Sequence, residues 1–206
     1  MRPVGTVLWD ADGVLQRVPN GAEESMRPAV EGLVEDVDAF LAEAVAAERP
    51  ALRGEVRWLD VLPDLLARWG IADAHDDVVR TWLTLEEVPA THGLVRRLRD
   101  RGVRCALATN QDECRADRMR RQLGYERLLD ETFWSYELGA AKPEPAFFER
   151  VLERLGARPE DVLLVDDNAG NVAAAREAGI RAERWSHREP VEALVVRLGR
   201  HGLLVE

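Results

Sequence analysis

The chain has 206 residues, 46% of them hydrophobic and 32% charged, and a net charge of −10. That length can bury a real core with the composition of an ordinary soluble globular protein, and no run approaches the ~18 apolar residues of a membrane span. The chain enters a strand almost at once, without a basic and then apolar leader, so a cytoplasmic protein with no membrane partner is expected. The acidic balance also speaks against nucleic acid, which is bound by clustered positive charge.

Taken in order, the first element is a buried strand over residues 4–9. Its apolar run breaks into Asp10-Ala11-Asp12-Gly13, which places two carboxylates where the chain leaves a sheet. Asp12-Gly13 is equally an ordinary turn dipeptide. Residues 16–88 read differently. They hold 16 acidic residues against 7 basic ones, so nearly all the net charge sits there. Apolar residues at helical spacing (Leu33, Val37, Phe40, Leu41, Ala44 and Val45, then Trp58, Leu62, Leu65, Leu66, Trp69, Val78, Val79, Trp82 and Leu83) predict three helices over 30–48, 55–69 and 76–85. Nothing in this stretch reads as a strand, and it is expected to be a helical insertion.

From residue 89 onward strand and helix alternate. Helices are predicted over 91–100, 112–123, 145–155 and 171–178, closed by Gly102, Gly124, Gly156 and Gly179. Strands are predicted over 103–109, 132–136, 162–166 and 180–185. Buried strands alternating with helices predict an α/β fold, a three-layer Rossmann-like parallel sheet covered on both faces. The core is then residues 1–15 and 89–206, and the inserted helical domain is 16–88.

The polar residues gather at the strand ends: Asp10 and Asp12 after the first, Thr109 and Asn110 after the second, Lys142 after the short third, and Asp166-Asp167-Asn168 after the fourth. In an open parallel sheet, ligands bind outside the carboxyl ends of the strands. Lys142 is the one lysine among 28 basic residues. An ammonium is a compact point charge where a guanidinium is a broad fork, so this lysine marks a position that arginine does not fill; equally, a single lysine has to fall somewhere. Two carboxylates ~4 Å apart repel by about 4 kcal/mol at an effective dielectric near 20, and one lysine does not offset four aspartates. Oxygen ligands without Cys or His favour Mg²⁺; protonation of one or more aspartates is the alternative. A metal beside a lysine suits a dianion such as phosphate. The two cysteines, Cys105 and Cys114, and the four histidines, His75, His92, His187 and His201, have no metal-site spacing and are read as structural or surface residues.

The ordered set Asp10-Ala-Asp12-Gly-Val-Leu, Leu107-Ala-Thr109-Asn110, Lys142-Pro-Glu-Pro and Val165-Asp166-Asp167-Asn168 resembles the four motifs of the haloacid dehalogenase-like hydrolase superfamily. The helical insertion is similar to that of its C1-capped branch, which includes phosphatases, a sugar phosphomutase and the dehalogenases. The resemblance implies Asp10 as the nucleophile of an aspartyl-phosphate and Asp12 as general acid and then base. It implies Thr109, the Asn110 amide region and Lys142 as holders of the phosphoryl group, with Lys142 also balancing charge on Asp10. For Mg²⁺ it implies Asp10, Asp12 through its carbonyl, and Asp167, with Asp166 auxiliary. Asn171 stands where many relatives carry a further acid, and Trp9 where the family often has Phe, which reads as packing.

The expected activity is therefore Mg²⁺-dependent hydrolysis of a small phosphorylated metabolite. The acidic insertion argues for a neutral or cationic remainder such as a sugar. A phosphomutase would need a cationic second phosphate site in the insertion; Arg49, Arg53 and Arg57 have helical spacing, though a solvated face explains them. A dehalogenase would leave Asp12 without a leaving alkoxide to protonate, and a non-catalytic relative would bind phosphate without turnover.

Overall fold

The computed structural model describes residues 4–19, 21 and 24–203. The strands are β1 (Thr6–Trp9), β2 (Gln16–Arg17), β3 (Glu86–Glu87), β4 (Arg104–Thr109), β5 (Glu131–Trp134), β6 (Val162–Asp166) and β7 (Arg181–Arg184). The helices are α1 (Arg27–Val30), α2 (Val37–Leu52), α3 (Trp58–Arg68), α4 (His75–Trp82), α5 (Pro89–Asp100), α6 (Glu113–Arg118), α7 (Tyr125–Leu128), α8 (Ser135–Leu138), α9 (Pro145–Leu155), α10 (Ala169–Glu177) and α11 (Val191–Gly199).

Five strands form one sheet in the order β5-β4-β1-β6-β7, and each pairing is parallel. Side chains alternate across a strand, and here both faces are apolar. Val7 and Trp9 of β1 join Cys105, Leu107, Leu163 and Val165 on one face, under Leu94, Val95 and Leu98 of α5 and Leu194 and Leu198 of α11. Leu8 joins Ala106, Ala108, Val162 and Leu164 on the other, under Phe147, Phe148 and Val151 of α9 and Val172 and Ala175 of α10. This is the three-layer α/β arrangement expected from the buried strand runs. Trp9 is fully buried within the first layer, as packing.

Helices α1 to α4 share a separate apolar cluster around Phe40, Trp58, Leu62, Leu65, Val78 and Trp82. The chain enters and leaves this region through β2 and β3, which pair antiparallel, Gln16 with Glu87 and Arg17 with Glu86. That ribbon corrects the expectation of a strand-free insertion. Two residues per strand are too few to show a period, and their pairing is made across the whole insertion. The helix predicted over 30–48 is also two helices. Gly32 takes a φ of 81°, and Asp36 opens α2 by accepting from the Ala39 amide at 2.9 Å. Leu33 falls between them and is 55% exposed, not a core residue.

Two differences concern the remaining chain. The helix predicted over 112–123 is α6 followed by a π-helical turn, Met119–Leu123, before Gly124. Helix α11 was not anticipated, although Leu194 and Leu198 stand four residues apart. Of the cysteines, Cys105 is buried in the core and Cys114 partly so, both free. His92 is buried and contacts the Leu15 carbonyl at 2.9 Å. No helix among the described residues is long and apolar enough to cross a membrane.

Candidate active site

The carboxyl ends of β1, β4 and β6 and the loop after α8 meet at one cleft of about 900 Å³, bordered by Asp10, Asp12, Thr109, Asn110, Lys142 and Asp167. At its floor Lys142 Nζ donates to Asp10 Oδ1 at 2.8 Å, to Asp166 Oδ2 at 2.7 Å and to the Ala108 carbonyl at 2.7 Å. All three ammonium protons are committed in a slot where the lysine side chain is 1% exposed. Burial opposes the charge on Lys142, but Asp10 and Asp166 outweigh it and hold the ammonium above its ordinary range. Three converging acceptors around one atom suit an ammonium and not a planar guanidinium.

One oxygen from each of Asp10, Asp166 and Asp167 lies within 4.8 Å of the others. Burial, then Asp166, pushes the Asp10 carboxyl up to about 8 against the pull of Lys142. Asp167 is raised as well, by burial first and Asp166 next. So many carboxylates around one ammonium are mutually unfavourable as anions. A hard divalent cation with oxygen preference fits this donor set. Asp166, read from sequence as auxiliary, belongs to the same oxygen cluster. Asn171 donates to both of its oxygens at 3.1 Å, and the Asn168 amide donates to Oδ1 at 2.8 Å. Asn168, not Asp167, caps α10, accepting from Gly170 N at 2.8 Å.

Gly13 lets Asp167 approach the first loop. Its φ is 81°, and a Cβ there would overlap the Asp167 carboxylate. Gly13→Ala should therefore turn Asp167 away and strain the loop by ~1–2 kcal/mol, weakening Mg²⁺ binding at least tenfold with the fold retained. Calorimetric Mg²⁺ titration beside far-UV circular dichroism checks this; unchanged affinity refutes the packing argument.

The two residues after β4 differ in what they leave free. Thr109 is buried, with Oγ1 3.4 Å from Gln111 Nε2. The Asn110 side chain is spent on the lysine loop, donating to the Lys142 carbonyl at 2.7 Å and accepting from its amide at 2.8 Å. Only the main chain of Asn110 is left for an anion. Asp12 is not part of the carboxylate cluster. Its Oδ1 accepts from Gln16 Nε2 at 2.8 Å and Arg115 Nη2 at 3.1 Å, and its Oδ2 accepts from Gln111 Nε2 at 2.9 Å. None of these three donors was singled out in the sequence. They lack motif spacing, and only the fold gathers them.

The far wall of the cleft was equally illegible. Arg184, Ser186, His187 and Arg188 border it, held by His187 N to the Gly13 carbonyl at 2.7 Å and by Arg184 Nε to the Asp167 carbonyl at 2.8 Å. Among the described acids of the insertion only Glu24 borders the cleft, and it is paired with Arg27. The surplus charge of the insertion therefore says little about the substrate. Arg49, Arg53 and Arg57 do not border the cleft either; Arg53 pairs with Glu55 at 2.6 Å and Glu144 at 3.3 Å, and Arg57 with Glu113 at 3.0 Å.

One further acid is buried at the insertion–core contact. Glu48 of α2 is pushed up to about 8, chiefly by burial and then by Asp112, with Arg115 opposing and Asp12 adding a little. A carboxyl raised this way stays protonated in the folded chain while the unfolded chain ionises near 4.5. Its stability penalty is nil at acid pH, grows between these values and is complete above the upper one. Glu48→Gln should match the parent at pH 4 and exceed it increasingly up to pH 8, by about 1.4 kcal/mol per pH unit at most. Urea melts across that range decide it; a pH-independent difference refutes it.

The sequence pattern of the haloacid dehalogenase-like hydrolases matches residues 4–179. The chain belongs to that family. Among characterised relatives, this hydrolase is 27% identical over 180 residues to a phosphorylated carbohydrates phosphatase of Thermotoga maritima, covering 84% of this chain and 81% of that one. It is 29% identical over 199 residues to a phosphoglycolate phosphatase of Pseudomonas putida, covering 91% and 72%. In fold, the hydrolase superposes on a HAD family enzyme of Bacteroides thetaiotaomicron with a TM-score of 0.79 and 20% identity, over 94% of this chain and 98% of that one. The same enzyme complexed with magnesium and inorganic phosphate gives a TM-score of 0.73.

Proposed function

We propose that this hydrolase is a Mg²⁺-dependent phosphomonoesterase of small phosphorylated metabolites, working through an aspartyl-phosphate on Asp10. One observation carries the reading: Lys142 bridges Asp10 and Asp166 in a cleft that Thr109 and Asp167 also border. In this reading residues 16–88 form a cap over the core, and Asp10, Asp167, Asp166 and the Asp12 carbonyl hold Mg²⁺. Bound there, the ion neutralises phosphoryl oxygens and the carboxylates around them.

Asp10 Oδ1 accepts from Lys142 at 2.8 Å, which leaves Oδ2 as the nucleophilic oxygen in this reading. That oxygen attacks phosphorus as the ester P–O bond breaks, and Asp12 delivers a proton to the departing alkoxide. Water then attacks the phosphorus of the aspartyl ester, Asp12 takes the water's proton, and Asp10 leaves as carboxylate. Thr109 Oγ1 and the Asn110 main-chain amide orient the phosphoryl group and the Lys142 charge balances it, which is most of what such a transfer asks of a protein.

The relatives' substrates, phosphorylated carbohydrates and phosphoglycolate, and the polar cleft wall around Arg184 and Arg188 support a small, polar remainder. The phosphomutase reading loses its motive, since the insertion arginines do not border the cleft. The test is a panel of small phosphomonoesters assayed for released phosphate with Mg²⁺ and with chelator. Metal-dependent release from at least one ester is expected; none from any ester refutes the proposal.

A further inference from the structure

We infer that Arg115 is a positioning residue for Asp12, and that the helical insertion governs this positioning through Trp82. The inference rests on the phosphatase reading of the cleft.

Arg115 lies on α6 with its side chain 3% exposed. A buried guanidinium is normally satisfied by several acceptors. Here Nη2 donates to Asp12 Oδ1 at 3.1 Å, and Nε has no partner among the described residues. A buried charge so sparsely bonded is a poor device for stability. Glu48 and Asp112 lie within its electrostatic reach, but among the described residues its one side-chain hydrogen bond is to Asp12, the residue that must meet the leaving oxygen.

Asp12 is thereby held from three directions, by Gln16 at the start of β2, Gln111 beyond β4 and Arg115 on α6. With donors on both oxygens, rotation of the carboxylate breaks at least one bond, so its direction is set by where those donors stand. Gln16 is itself placed by Tyr125, whose hydroxyl donates to Gln16 Oε1 at 2.9 Å. Gln16 and Gln111 hang on the core and its hinge ribbon. Arg115, by contrast, carries an outer face made by a helix of the insertion.

That outer face is Trp82, at the end of α4. Its ring lies 4.6 Å from the guanidinium carbon, a cation–π contact that is stronger when desolvated. Its Nε1 donates to Asp112 Oδ2 at 3.2 Å, and Asp112 in turn caps α6 through the Cys114 and Arg115 amides at 2.7 and 3.2 Å. Trp82 thus grips both the guanidinium and the helix that carries it. When the insertion is seated, Arg115 is clamped between Trp82 and Asp12. When the insertion lifts, Trp82 leaves with it, and the guanidinium gains water and freedom to swing. Asp12 is then held by two donors instead of three, so proton delivery is coupled to the seating of the insertion.

The experiment compares two esters in the full-length protein with Mg²⁺. An alkyl phosphate such as glycerol phosphate needs a proton on its leaving oxygen; 4-nitrophenyl phosphate does not. Arg115→Met is expected to lower kcat on the alkyl ester at least tenfold more than on the nitrophenyl ester, with KM for both within threefold of the parent. Trp82→Ala should shift the same ratio in the same direction, and Trp82→Phe, which keeps a ring over the guanidinium, should restore it. Should Arg115→Met fail to fold, Arg115→Lys and the Trp82 pair carry the comparison. Equal losses on both esters, or losses confined to KM, overturn the inference. A parent protein that hydrolyses neither ester overturns the phosphatase reading instead.

Discussion

Asp10→Asn is expected to lower kcat by about four orders of magnitude or more, on the scale seen when a covalent nucleophile is removed, while leaving the fold in place. Asparagine has the shape of aspartate, so the main-chain bond from residue 10 to the Val165 carbonyl, 3.0 Å in the parent, has no reason to change. Lys142 keeps Asp166 and the Ala108 carbonyl as acceptors, so its slot is not orphaned. What disappears, in the proposed mechanism, is the oxygen that attacks phosphorus. Rapid acid quench with labelled substrate checks the assignment directly. The parent should carry acid-stable, hydroxylamine-labile phosphate during turnover and the variant none. A variant with more than a few per cent of parental kcat shows that another group attacks, water included.

Lys142 variants should show both a stability and a rate effect. Lys142→Met keeps the length of the side chain and removes the charge, leaving Asp10 and Asp166 face to face in a buried site. Breaking a buried pair by removing one partner costs about 3–5 kcal/mol, and the loss should appear at neutral pH as a lower denaturation midpoint. Added Mg²⁺ should recover part of it, because a cation among the same oxygens restores the balance. The rate should fall at least ~10²–10³-fold, the scale for removing one stabilising donor from a transition state. Lys142→Arg is the sharper variant. A guanidinium retains the charge, yet cannot place three donors around the single point where Asp10 Oδ1, Asp166 Oδ2 and the Ala108 carbonyl converge. It should fold better than the Met variant and remain nearly as inactive. Parental rates in Lys142→Arg would show that only charge matters there.

Much of the core was legible along the chain because its signals are local. An apolar run that stops at Asp10, Thr109 or Asp166 records the end of a buried strand within a few residues. A glycine after a periodic stretch, as at Gly124 and Gly156, records a helix end with positive φ. Lys142 stood out by composition, and the structure shows the reason in its three-acceptor slot. The insertion was legible as helical from its apolar spacing, but its internal breaks were not. The split at Gly32 and Asp36 and the β2–β3 ribbon depend on residues far apart in sequence or on elements too short to carry a period.

The order of the five sheet-forming strands along the chain and the positions of the strand-end carboxylates were thus determined by the amino-acid sequence alone, since a strand's burial and its termination are read from adjacent residues. Only the tertiary structure decided which of those carboxylates share a site and which do not. Asp166 stands among Asp10, Asp167 and Lys142. Asp12 turns to Gln16, Gln111 and Arg115. The physical reason is that a carboxylate takes its direction from the donors nearest it in space. Here those donors come from the insertion hinge, a loop and a helix, the last of them 103 residues along the chain from Asp12, and no local pattern reports their meeting.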